Sequence, residues 1–100
     1  MNRNMIRQAQ KLQAQLQKIQ EELETLTVEG SAGGGVVKVV MTGKQSVESV
    51  SIEPEAAEDV ELLQDLVAAA VNDAFTKTQE MAAQKMSAVT GGMNSPGLGF

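Results

Sequence analysis

A chain of 100 residues with 42% apolar content, two Phe and neither Trp nor Tyr forms a single domain with few large core anchors. It contains no Cys and no His, which excludes disulfides, thiol chemistry and the commonest general base and metal ligand. The formal net charge of −5 argues against a uniformly basic nucleic-acid binder, but local segregation of charge counts for more than the total.

The first element predicted is a helix over about residues 2–24. Met5, Ala9, Leu12, Leu16, Ile19, Leu23 and Leu26 recur at gaps that alternate four and three, the a/d seam of a heptad. At about 1.5 Å per residue the helix is roughly 37 Å long, and so narrow a stripe on so long a helix requires a second helix beside it. With a core this thin, a homodimer is expected, with Met5, Ala9, Leu12, Leu16, Ile19 and Leu23 as its seam. The same helix carries Arg3, Arg7, Lys11 and Lys18, half of the eight cations in the chain, and no acid precedes Glu21. At about 100° per residue these four fall within an arc of roughly 80°.

Strands are expected over about 25–30, 36–42 and 46–52. Gly30-Ser31-Ala32-Gly33-Gly34-Gly35 lies between the first two and reads as a flexible hairpin connection. No Gly-Lys-Ser/Thr completes a phosphate loop there, and a strand rather than a helix follows. In the second strand Val37, Val39 and Met41 share one face, and Val36, Lys38, Val40 and Thr42 the other. Gly43-Lys44 marks a tight turn, after which Val50 and Ile52 share a face and Val47 is placed with Ser49 and Ser51. Short links make the three strands an antiparallel meander.

Pro54 ends the sheet, Asp59 is a plausible N-cap, and helical spacing of apolar residues continues from Val60 to Val89, giving a helix over about 60–90. Its apolar arc is broad early and thin after Phe75, so its second half should project from the sheet. Residues 93–100, rich in Gly with Asn94, Ser95 and Pro96, read as a flexible tail. The longest unbroken apolar run, Leu66–Val71, is far too short for a membrane span, and no apolar signal segment opens the chain, so a cytoplasmic location is expected.

Four stretches carry a family resemblance. Ile6-Arg7-Gln8-Ala9-Gln10-Lys11-Leu12-Gln13 is similar to the opening helix of the YbaB/EbfC family of bacterial nucleoid-associated proteins. Gly30 to Val39 resembles that family's Gly-rich hairpin and second strand. Asp65 to Ala74 resembles its closing helix, and Thr90 to Gly97 its tail. The resemblance covers 1–92 as one domain plus the tail. It implies an α+β chain of order α-β-β-β-α, with a three-stranded antiparallel meander between long N- and C-terminal helices. It implies a tweezer-like homodimer whose helical arms bind double-stranded DNA in the nucleoid, with Lys77 and Lys85 of the closing helix joining Arg3, Arg7, Lys11 and Lys18. The closing helix sets only those two cations against Asp73 and Glu80.

Without helix-turn-helix, zinc ligands or an aromatic stacking platform, contacts should favour phosphates over bases. The alternative is a protein-binding adaptor using the heptad helix. Catalysis is not expected: the acid cluster Glu53, Glu55, Glu58 and Asp59 suits a helix start better than a metal site. No cofactor and no small-molecule substrate is expected. A membrane-surface role for the first helix is disfavoured by its narrow stripe and by its lack of Trp and Phe.

Overall fold

The computed structural model describes residues 2–91. Its order is α1 (Arg3–Thr25), β1 (Thr27–Ala32), a 3-10 turn (Gly33–Gly35), β2 (Val37–Thr42), β3 (Val47–Ile52), a second 3-10 turn (Pro54–Glu58) and α2 (Val60–Gly91). This is the α-β-β-β-α arrangement of an α+β fold, drawn out to 66 × 28 × 15 Å. Residues 93–100, expected as a flexible tail, lie outside the described residues.

Both helices begin at side-chain caps. Asn2 accepts from the amide of Asn4 at 2.6 Å, and Asp59 from that of Leu62 at 3.1 Å, each taking one of the donors that a helix start leaves without a partner. The strands form one antiparallel sheet in the order β1-β2-β3. Val28, Gly30 and Ala32 stand opposite Met41, Val39 and Val37, which in turn face Val47, Val50 and Ile52 across the next ladder. The expected face of Val47 is therefore corrected. A register shift at Val40/Met41 places Val47 opposite Met41, on the face of Val50 and Ile52.

That face packs under α2. Val37, Val39 and Met41 form the buried core with Ala70 and Ala74, edged by Val28, Leu63, Leu66, Val67 and Val71. Each fully buried Val or Met contributes roughly 1.5–3 kcal/mol. The helix lies closest over β1. A side chain at Gly30 would meet the carbonyl oxygen of Ala70 and the amide nitrogen of Ala74, and would stand 2.7 Å from Ala74 Cβ. Gly30 is a strand residue for this reason, and β1 runs on to Ala32 where the glycines alone suggested a loop from Gly30. The loop proper is the tight turn at Gly33–Gly35, with positive φ at all three glycines.

The opposite face of the sheet carries Thr27, Glu29, Ser31, Lys38, Ser49 and Ser51 and has no helix over it. Val36 and Val40, the apolar residues on that face of β2, are half-buried.

Candidate nucleic-acid interface

The direction of α1 relative to α2 follows from three ties. Ser31 donates its amide to Asp73 at 3.0 Å, Lys77 Nζ donates to the Glu29 carbonyl at 2.9 Å, and Lys85 Nζ meets Glu22 Oε2 at 2.8 Å. As the chain number falls from 31 to 22, its partner on α2 rises from 73 to 85. The two helices therefore run antiparallel, and the second half of α2 leaves the sheet to lie along α1. Six residues beyond Lys85, Gly91 comes level with about Leu16. The first half of α1 extends past that point.

This arrangement divides the heptad seam. Ile19 and Leu23, expected in a dimer contact, are only 6% and 5% exposed within one chain. The second half of α2 and the β2–β3 turn cover them; Leu23 lies so close to Gly43 that a side chain there would stand 2.7 Å from the Leu23 carbonyl oxygen. Leu12 and Leu16 are half-buried, while Met5 is 60% exposed and Ala9 is exposed. Beside Ile19 the two helices leave an open groove of about 470 Å³, lined in part by Glu22, Met81, Lys85 and Val89.

Opposite the seam stand Arg3, Arg7, Lys11 and Lys18, all exposed. From Arg3 to Lys18 the row spans roughly 22 Å. Among the described residues no carboxylate lies within ion-pair distance of any of the four, the ion pairs being Lys77–Asp73 and Lys85–Glu22. Their guanidinium and ammonium groups are thus available to an anionic partner.

Lys77 and Lys85 are differently placed. Lys77 bonds Asp73 at 3.2 Å as well as the Glu29 carbonyl, and Lys85 bonds Glu22. Both tie one element to another. The amide of Ser31, then Lys77, holds the Asp73 carboxyl below its ordinary range. The hydrogen bond from Lys85 does the same for Glu22, with its charge and that of Lys18 adding to it. Sequence reasoning missed these acids as partners. Asp73 and Lys77 had a signal in their i,i+4 spacing. Glu22 and Lys85 had none, being 63 residues apart. Lys44, at the β2–β3 turn, donates to Gln20 Oε1.

Among the described residues no group of three or more acids is arranged to hold a metal ion, the cluster around Glu53 to Asp59 included. No described helix is long and apolar enough to cross a membrane.

The sequence of this chain matches a model of the YbaB/EbfC DNA-binding family over residues 1–93. A nucleoid-associated protein of Desulforamulus reducens is 56% identical over 96 residues, covering 94% of this chain and 91% of its own. The nucleoid-associated protein TTE0040 of Caldanaerobacter subterraneus subsp. tengcongensis is 52% identical over 97 residues, covering 95% and 87%. In fold, the chain is similar to the crystal structure of an uncharacterized protein, HP0035, from Helicobacter pylori. The TM-score is 0.72 at 20% identity, over 84% of this chain and 91% of that one.

Proposed function

Because the chain belongs to the YbaB/EbfC DNA-binding family, which is not a family of enzymes, we propose that it binds double-stranded DNA as a homodimer, chiefly through the phosphate backbone. Its role in this reading is nucleoid organisation or gene regulation, in the cytoplasm. One observation carries the reading: four exposed cations in a row along α1, with no carboxylate to neutralise them. Arg3, Arg7, Lys11 and Lys18 are its contacts. Lys77 and Lys85, already bonded within the chain, serve mainly to hold the arm in place. The dimer is supported by apolar side chains left exposed in one chain, among them Met5, Val50, Ile52 and Phe75.

Phosphate contacts position a protein without reading sequence, so affinity is expected to vary little among duplexes. With four to six phosphates engaged, log affinity falls against log salt with a slope of about −4 to −5. The test is a gel shift at several salt concentrations with Arg7→Glu and Lys11→Glu combined. Both residues lie off the seam, so dimer and helix content persist while binding is lost. Lys44→Glu, at the β2–β3 turn, has a much smaller effect. If the double variant binds duplex DNA as well as the parent, the row is only a solvated face. The exposed outer seam at Met5 then favours a protein-binding adaptor.

A further inference from the structure

The two edges of the sheet are finished differently. Val28, Gly30 and Ala32 of β1 bond β2, so the amides and carbonyls of Glu29 and Ser31 point outward. Those groups are taken: Asp73 accepts from the Ser31 amide and Lys77 donates to the Glu29 carbonyl. An ion pair one helical turn long thereby closes the β1 edge against any further strand.

Nothing closes β3. The amide of Glu53 donates to the Val36 carbonyl at 2.8 Å, which fixes the alternation along this ladder. Ser49 and Ser51 bond inward to Val40 and Lys38, and Val50 and Ile52 present their amides and carbonyls outward. Among the described residues no side chain meets those groups. The side chains of Val47, Val50 and Ile52 are 46%, 46% and 41% exposed, on the face that α2 covers elsewhere. Asp73 and Lys77 occupy the flank of α2 over β1. At about 100° per residue Val71 and Phe75 stand roughly opposite them, on the flank toward β3. Thr78, bonded to Gln45 of the β2–β3 turn, marks the same flank. The result is an open strand edge beneath an apolar overhang.

We propose that the β3 edge pairs with the β3 edge of a second copy, antiparallel about a two-fold axis at Ser51, giving one continuous sheet of order β1-β2-β3-β3-β2-β1. This rests on the homodimer reading and names its interface. The register follows from the sequence of the edge. Outward-pointing residues must pair with each other, which leaves three choices. Pairing Ile52 with Ile52 sets Val50 against Pro54, which has no amide to give. Pairing Val50 with Val50 sets Ile52 against Glu48, a carboxylate at the bulge. Pairing Val50 with Ile52 repeats itself across the axis, yields two doubly bonded pairs and keeps all four apolar side chains on the overhung face. It also sets Glu53 against Ser49, so no like charges stand opposite. A second copy fits because the edge complements itself: an isologous contact requires the same patch on both sides.

In this register the two Ser51 residues face each other as a non-hydrogen-bonded pair, with Cα atoms about 4.5 Å apart, within the span of a disulfide. The chain has no Cys of its own, so one introduced thiol reports cleanly. Ser51→Cys, oxidised in the otherwise intact protein, is expected to run mostly as a covalent dimer. Ser31→Cys, on the closed β1 edge, is expected to stay as single chains. Val50→Pro removes only an outward amide and should sediment as a folded monomer with parental helix content. A parent that sediments as a dimer while Ser51→Cys fails to cross-link overturns the β3 interface and leaves the dimer standing. A parent that sediments as a folded monomer at micromolar concentration overturns both.

Discussion

Replacing Gly30 with Ala is the sharpest test of how α2 is seated. The added methyl lies 2.7 Å from Ala74 Cβ, about 1 Å short of a comfortable carbon–carbon contact, and closer still to the backbone of Ala70 and Ala74. Neither neighbour is the end of a flexible side chain. The helix has to lift as a unit, and Asp73 and Lys77 tie it to Ser31 and Glu29 immediately beside the clash. Overpacking in a core costs about 1–3 kcal/mol, and a clash with backbone on both sides belongs at the upper end, roughly 3 kcal/mol. For a domain of this size that lowers Tm by on the order of 12–24 °C. Urea denaturation followed by circular dichroism, at matched protein concentration, measures it. Gly34→Ala is the control: no atom lies within 4 Å of the added carbon, and only its left-handed backbone, at about 1–2 kcal/mol, opposes it. If Gly30→Ala is no less stable than Gly34→Ala, the close seating of α2 on β1 is wrong.

Further outcomes follow from the ties between elements. Asp73 has a lowered carboxyl pKa, so its contribution is complete above the unfolded value of about 4 and is lost as pH falls through the lower, folded one. Acid titration should therefore show Asp73→Asn with a shallower loss of stability below pH 4 than the parent. Lys85→Glu sets a second carboxylate against Glu22, and hydrogen exchange should quicken severalfold along residues 15–22 while β1 and β2 keep their protection. Gly43→Ala crowds Leu23 and should cost about 1–3 kcal/mol, and it should weaken DNA binding even in the fraction that remains folded.

The order of elements was legible because each carries its own period: alternation in Val37–Met41, three-four spacing in α1 and α2, Gly or Pro between them. What stayed hidden depends on contacts between distant residues. The bulge that turns Val47 to the helix-facing side is set by the tight turn at Gly43 to Ser46, where Gln45 has a positive φ and Thr42 Oγ1 accepts the amides of Lys44 and Ser46. Gly30 looked like loop chemistry because a glycine admitted for close approach reads the same as one admitted for a turn. The basic row was visible because charge on one face needs only helical geometry. The engagement of Lys85 was not, because Glu22 reaches it only through the fold. The heptad seam was visible as a stripe, but the stripe alone did not reveal that the inner half is filled by the chain's own α2.

The contact between Gly43 and Leu23 also fixes an angle. Leu23 sits at the base of α1 and Arg3 near its tip, twenty residues and about 30 Å away. A tilt of about 10° at the base sweeps the tip through about 5 Å, more than the rise of about 3.4 Å between successive phosphates of one DNA strand. Whether Arg3 and Arg7 stay in step with a phosphate track is thus decided far from any charge, by the missing side chain of one glycine under the last turns of the helix. In mechanical terms α1 is a long pointer on a short bearing, and its aim is only as steady as that bearing.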